Sequence, residues 1–91
     1  MIIHPGTIHF DDRPWCIKAF VYQGSKRFQV MVLEDLIAQK SGLNPISADD
    51  MIMWAKNNKT KIEKQCRKYA SACKKQKRTL ADGDTIVISY I

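Results

Sequence analysis

The hydrophobic period of the chain changes near residue 33, and this change limits the fold more than any other feature of the sequence. Before it, apolar side chains recur at every second position, at 15, 17, 19 and 21 and again at 28, 30 and 32, in runs rich in β-branched and aromatic residues, the pattern of strands. After it, Leu33, Leu36 and Ile37 follow helical spacing. Strands followed by helices are typical of an α+β domain.

Turn and cap residues divide the chain further. Asp11 to Pro14 and Gln23 to Lys26 have turn composition, Gly42 is placed to end a helix, and Ser47 with Asp50 resembles a capping box. The elements expected are strands over residues 7–10, 15–22 and about 28–32, helices over about 34–41 and 48–77, and a strand over 85–91. This β-β-β-α-α-β order predicts one domain over residues 1–91, with a small antiparallel sheet packed against a short helix and a long amphipathic basic helix.

The long helical segment has one apolar line in steps of three and four. It runs through Ile52, Ala55, Ile62, Cys66, Tyr69 and Cys73. Asn57 and Asn58 are poor helix formers within it. The sequence is therefore compatible with one helix or with two that divide at these asparagines.

Charge is concentrated in this same segment. The chain carries 15 Lys and Arg against 9 Asp and Glu, a net charge of +6. Residues 56–78 hold ten of the basic residues and a single acidic one, Glu63, for a net of +9, whereas the rest of the chain has a net of −3. The basic character therefore belongs to one helical region, a possible contact for nucleic acid, an anionic surface or an acidic protein.

A helical projection puts most of these basic residues opposite the apolar line, as a stripe roughly 30 Å long. Such a stripe can follow a phosphate backbone without reading bases. The residues proposed for this contact are Lys61, Lys64, Arg67, Lys68, Lys74 and Lys75. The competing interpretation is a solvated, lysine-rich helix face. Lysine predominates in the stripe and acts only as a point charge. The one aromatic residue within the basic segment, Tyr69, lies on the apolar line, which argues against base stacking.

Other chemistry is not favoured by the sequence. Cys16, Cys66 and Cys73 form no C-x-x-C pair, and their pattern predicts reduced, buried thiols and a cytoplasmic location. His4 and His9 are five residues apart in an extended segment, which places them on opposite faces and argues against a shared metal ion. We expect no catalytic residue, no cofactor, no metal, no signal-peptide pattern and no membrane span.

The chain also resembles a family of short bacterial proteins catalogued only as a domain of unknown function. The resemblance rests on the Trp15 to Gly24 hairpin after Phe10, on residues 32–36 opening the first helix, on residues 58–64 and on residues 83–88 of the last strand. Lys61 or Lys59 stands where that family has an arginine. The resemblance implies an α+β cytoplasmic bacterial protein and supplies no catalytic residue.

The expected function is a small binding module without enzymatic activity. The preferred hypothesis is a nucleic-acid-associated accessory protein that contacts phosphates through the basic helix. The alternative is a protein-interaction or homo-oligomerising module, in which a sheet edge or the helix end near Trp54 meets a second chain. The oligomeric state is left open by the sequence.

Overall fold

A computed structural model describes all 91 residues. Its elements are β1 (Ile2–Ile3), a 3-10 turn (Pro5–Thr7), β2 (His9–Asp12), β3 (Trp15–Gln23), β4 (Lys26–Leu33), α1 (Glu34–Ser41), α2 (Ala48–Asn57), α3 (Lys59–Lys75) and β5 (Thr85–Ile88). The α+β class predicted from the change of period is confirmed. None of the helices is long and apolar enough to cross a membrane.

The sheet is five-stranded and mixed. β1 and β2 both pair with β3, β3 pairs with β4, and these pairings are antiparallel. β5 pairs with β4 in parallel, with Gln29 opposite Thr85 and Val32 opposite Ile88. The expectation of an antiparallel sheet is therefore wrong for the last strand. Three helices intervene between β4 and β5, and a crossover of that length returns the chain in the direction of β4.

The core lies between one face of this sheet and the three helices. Its strand residues are Ile17, Ala19, Val21, Phe28, Val30, Val32, Ile86 and Ile88, all buried. Leu36 and Ile37 of α1, Met51 and Ala55 of α2, and Ile62 and Cys66 of α3 complete the same cluster. The sheet's opposite face is partly open, because Tyr22, Leu33 and Val87 remain more than a third exposed.

The predicted helical segment 48–77 divides at Asn58 into α2 and α3. The backbone of Asn58 leaves helical geometry at φ −113° and ψ 19°, and its side-chain amide donates to the Trp54 carbonyl at 2.8 Å. Ser47 begins α2 with the predicted capping box to Asp50. Gly42 follows α1 at φ +73°, a conformation that favours glycine.

Several local expectations differ from the structure. Asp11 and Asp12 belong to β2 rather than to a turn, because they pair in the antiparallel ladder with Cys16 and Trp15 of β3. In α2 the fully buried residue is Met51 rather than Ile52, which is half-buried. The last strand ends at Ile88 and not at the chain end.

Candidate nucleic-acid interface

Helix α3 is fixed to the sheet by its inner face. Ile62, Cys66 and Cys73 are buried, as the apolar line predicts, and Tyr69 is half-buried. Side chains three and four positions apart share one side of a helix. The basic residues at positions 61, 64, 67, 68, 74 and 75 lie off this side of the helix and face outward.

All six residues proposed for phosphate contact lie on α3 and are exposed. From Lys61 to Lys75 they extend over about 21 Å of helix at 1.5 Å per residue, less than the stripe expected from the sequence. Lys64, Arg67, Lys68 and Lys75 surround one open depression, whose other lining residues are Ser71 and Ala72. We call the six side chains the basic face of α3.

The other four basic residues of the segment do not belong to this face. Lys56 lies on α2, and Lys77 lies beyond the end of α3 at φ +57°. Lys59 forms an ion pair with Glu63 at 2.8 Å, and the Arg78 guanidinium donates to the Cys73 sulfur at 3.4 Å. That hydrogen bond raises the pKa of Arg78.

No carboxylate neutralises the basic face. The ion pairs of the protein are Lys18 with Asp11 and Lys59 with Glu63, so none of the six cations has a partner within 4.0 Å. Lys74 and Lys75 occupy the last turn of α3, where a positive charge interacts favourably with the helix dipole. The remaining cations of the face have no such local explanation.

Glu63 is the single acidic residue of the segment, and its side chain does not lie on the basic face. It is buried beside Ile62 and accepts hydrogen bonds from the Ile3 backbone N–H at 2.7 Å and from Lys59 at 2.8 Å. Two features of the sequence point to this placement: Glu63 is adjacent to Ile62 on the apolar line, and it lies four residues after Lys59, the spacing of a helical ion pair. Glu63 therefore fixes β1 to α3, and its ion pair is with Lys59 rather than with a residue of the outer face.

Lys26 adds a cation to this surface that the sequence does not predict, because it begins β4 and lies far from α3 along the chain. It lines a groove together with Arg67 and Lys74 of the basic face. The only local signal was its position directly after the Gly24-Ser25 turn. The structure thus extends the positive surface from α3 onto the neighbouring hairpin.

The cysteines and histidines are described by their burial and their contacts. All three cysteines are free and buried, as predicted. Burial raises the pKa of the Cys66 thiol to about 12 and also raises that of Cys16, which disfavours the nucleophilic thiolate. The ring of His4 packs edge-on against Tyr22, and no group of three His, Cys, Asp or Glu is arranged to hold a metal ion.

Comparison of the chain with protein-family models, with curated proteins and with solved structures finds no match in any of the three. The resemblance to the family of uncharacterised bacterial proteins therefore stays a prediction. Functional inference rests on the geometry and charge of this chain.

Proposed function

We propose that this protein is a nucleic-acid-associated binding module that contacts phosphates through the basic face of α3. The observation that carries the proposal is the exposure of six Lys and Arg side chains on one helix, none of them in an ion pair. Lysine and arginine bind phosphate oxygens as charge-assisted donors. Such contacts position a protein on a duplex without specifying a sequence.

The mode of contact follows from what the basic face lacks. Its side chains are those of Lys, Arg and small residues, and Tyr69 lies on the inner side with its ring half-buried. Base stacking along a single strand requires a series of exposed aromatic side chains, whereas one, Tyr90, lies beside Lys68 at the edge of this face. Duplex phosphates are therefore the better match. We therefore expect binding that depends strongly on salt and weakly on sequence.

Titration of the protein onto a generic duplex at several salt concentrations tests the proposal. If about five phosphates are neutralised, the logarithm of the binding constant falls against the logarithm of salt concentration with a slope near −4.5. The triple variant Lys64→Gln, Arg67→Gln, Lys68→Gln removes three of these charges and should reduce the slope to about −2. Absence of duplex binding at low salt would refute the proposal.

A matched control separates the basic face from net charge. The variant Arg13→Gln, Lys40→Gln, Lys56→Gln removes one arginine and two lysines that are exposed but lie outside α3. We expect this control to keep most of the affinity and the original slope. Equal losses in the two triple variants would mean that overall charge, and not the face of α3, is responsible.

The alternative function is a protein-interaction or homo-oligomerising module. It is favoured by the open face of the sheet, where Val87 is 44% exposed and Tyr22 37% exposed, and by the position of β5 at the sheet edge. Edge strands pair readily with a second chain. Light scattering over a concentration series tests self-association, and a monomer at every concentration would argue against it.

The proposal also covers enzymatic activity, location, origin and cofactors. We infer a non-enzymatic, cytoplasmic and bacterial protein that requires no cofactor. The buried, free thiols support a reducing compartment. The bacterial assignment rests on the family resemblance alone.

A further inference from the structure

A groove of about 550 Å³ lies between the β3–β4 turn, the C-terminal half of α3 and the segment that follows α3. Its polar lining combines three cations and three hydroxyl groups: Lys26, Arg67 and Lys74 with Ser25, Ser71 and Thr79. Its apolar lining consists of Phe28, Ala70 and Leu80. No carboxylate lines it, so all the charged side chains of the groove are positive.

The three cations are available to a ligand. Neither ion pair of the protein involves them. Lys26 donates one long hydrogen bond, of 3.4 Å, to the Leu80 carbonyl. An ammonium group has three donors and the guanidinium of Arg67 has five, so most of their hydrogen-bonding capacity is unused.

The hydroxyl groups are available as well. The hydroxyls that donate hydrogen bonds within the protein belong to Thr7, Ser41 and Thr85. Those lining the groove have no protein acceptor and are exposed. Hydroxyl donors next to Lys and Arg match the several acceptor oxygens of a phosphate group.

The walls of the groove are held in place by backbone hydrogen bonds. The segment after α3 is tied to the start of β4, because Arg27 N–H donates to the Asp82 carboxylate and Gly83 N–H donates to the Arg27 carbonyl, both at 2.7 Å. The opposite rim is a two-residue turn with Gly24 at φ +60°, as a type II′ hairpin requires. Little reorganisation is therefore needed for binding.

We propose that this groove binds a phosphorylated ligand of mononucleotide size. The volume falls within the range of about 300–1,000 Å³ typical of small-molecule sites, larger than an inorganic phosphate needs. The cations and hydroxyls hold the phosphate, and the apolar lining contacts the rest of the ligand. The site shares Arg67 and Lys74 with the basic face of α3 but does not require that the protein bind duplexes.

Nuclear magnetic resonance of the ¹⁵N-labelled protein tests the site directly, with adenosine 5′-monophosphate as the probe. We expect amide shifts concentrated at Ser25, Lys26 and Ser71, and none with adenosine at the same concentrations. The phosphate could also belong to the end of a nucleic-acid strand. A short duplex with 5′-terminal phosphates, compared with the same duplex without them, tests this second source. Groove shifts that need the terminal phosphates would identify a phosphorylated strand end as the ligand.

The variant Lys26→Gln tests the assignment without altering α3. We expect its affinity for the nucleotide, or for the phosphorylated strand end, to fall about tenfold, as for the loss of one charge-assisted hydrogen bond. The control Lys40→Gln, on α1, should bind like the wild type. The proposal is overturned if neither ligand shifts the groove amides, or if Lys26→Gln binds as tightly as the wild type. Duplex binding that shifts only amides of the basic face would leave the proposed function standing while this site fails.

Discussion

Glu63 connects the first strand to the helix that carries the basic face, and its removal should destabilise the protein strongly. Its side chain is only 10% exposed, and one carboxylate oxygen accepts from both the Ile3 N–H and Lys59. Ile3 is 1% exposed, so its N–H is shielded from bulk water in the folded protein. The variant Glu63→Ala therefore leaves a buried backbone donor unsatisfied.

The magnitude follows from these contacts. An unsatisfied buried donor costs about 1–3 kcal/mol, and we expect Glu63→Ala to lower the free energy of unfolding by about 2 kcal/mol. The total free energy of unfolding of a domain of this length is about 5–14 kcal/mol, so this loss is a large share of it. At about 4–8 °C per kcal/mol, the loss lowers Tm by about 8–16 °C. Glu63→Gln keeps an oxygen for the Ile3 N–H and should cost less.

The same contacts predict a pH dependence. Burial acts to raise the pKa of Glu63, but the hydrogen bonds from Lys59 and from the Ile3 N–H outweigh it. The positive charges of Lys59 and Arg67 act in the same direction, so the pKa lies below its ordinary value. A depressed carboxylate pKa stabilises the folded state above the unfolded-state value of about 4.3, and this contribution is lost as the pH falls through the folded-state pKa.

Urea denaturation followed by tryptophan fluorescence measures both effects. At pH 7 we expect the order of stability wild type, Glu63→Gln, Glu63→Ala. At pH 3 the difference between wild type and Glu63→Gln should shrink. The lower limit for the contribution of a hydrogen bond is about 0.5 kcal/mol. The reasoning would be refuted if the free energy of unfolding of Glu63→Ala differed from that of the wild type by less than this. If the difference in stability between the wild type and Glu63→Gln does not change with pH, the stabilising role assigned to the ionised Glu63 carboxylate is refuted.

Three further predictions concern the ends of helices and the thiols. Lys77 follows the end of α3 at φ +57°, a backbone conformation that favours glycine, and the Arg78 N–H there donates to the Cys73 carbonyl at 2.8 Å. Lys77→Gly should therefore raise the free energy of unfolding, measured by urea titration, by about 0.5–1 kcal/mol. A decrease would contradict this account of the cap. Ser47→Ala removes the α2 capping box and should cost about 1 kcal/mol by the same measurement, whereas no loss would show the cap to be dispensable. Burial and the raised pKa of Cys66, about 12, should keep its thiol unmodified by iodoacetamide at pH 8 until urea is added, and mass spectrometry detecting native modification would contradict this.

The sequence predicts well those features that depend on neighbouring residues. The β3–β4 hairpin follows from alternation on either side of a glycine turn, and the start of α2 follows from Ser47 and Asp50. Asn57 and Asn58 indicated a possible break because both are weak helix formers. All six residues of the basic face were named because helical periodicity alone separates them from the buried line.

Features that depend on distant residues could not be predicted in this way. The direction of β5 relative to β4 is set by the path of three helices, and the apolar pattern of residues 85–88 is the same for either direction. The partner of Glu63 is the backbone of Ile3, sixty residues away, and no side-chain pattern identifies a backbone donor. Lys26 joins Arg67 in the groove only once the hairpin and α3 are packed together.

The arrangement of charge on α3 bears on the choice between the proposed binding surface and a solvated helix face. Lys61, Lys64 and Lys68 are three and four residues apart, and like charges at these spacings destabilise a helix by about 0.2–0.5 kcal/mol per pair. A face selected only for solubility gains from alternating Glu and Lys, which form favourable pairs at the same spacing. The glutamate of α3 instead lies on the buried side, where it holds β1. The outer face is therefore left with a repulsion that the buried inner face must offset and that the polyanion of the proposed function would relieve.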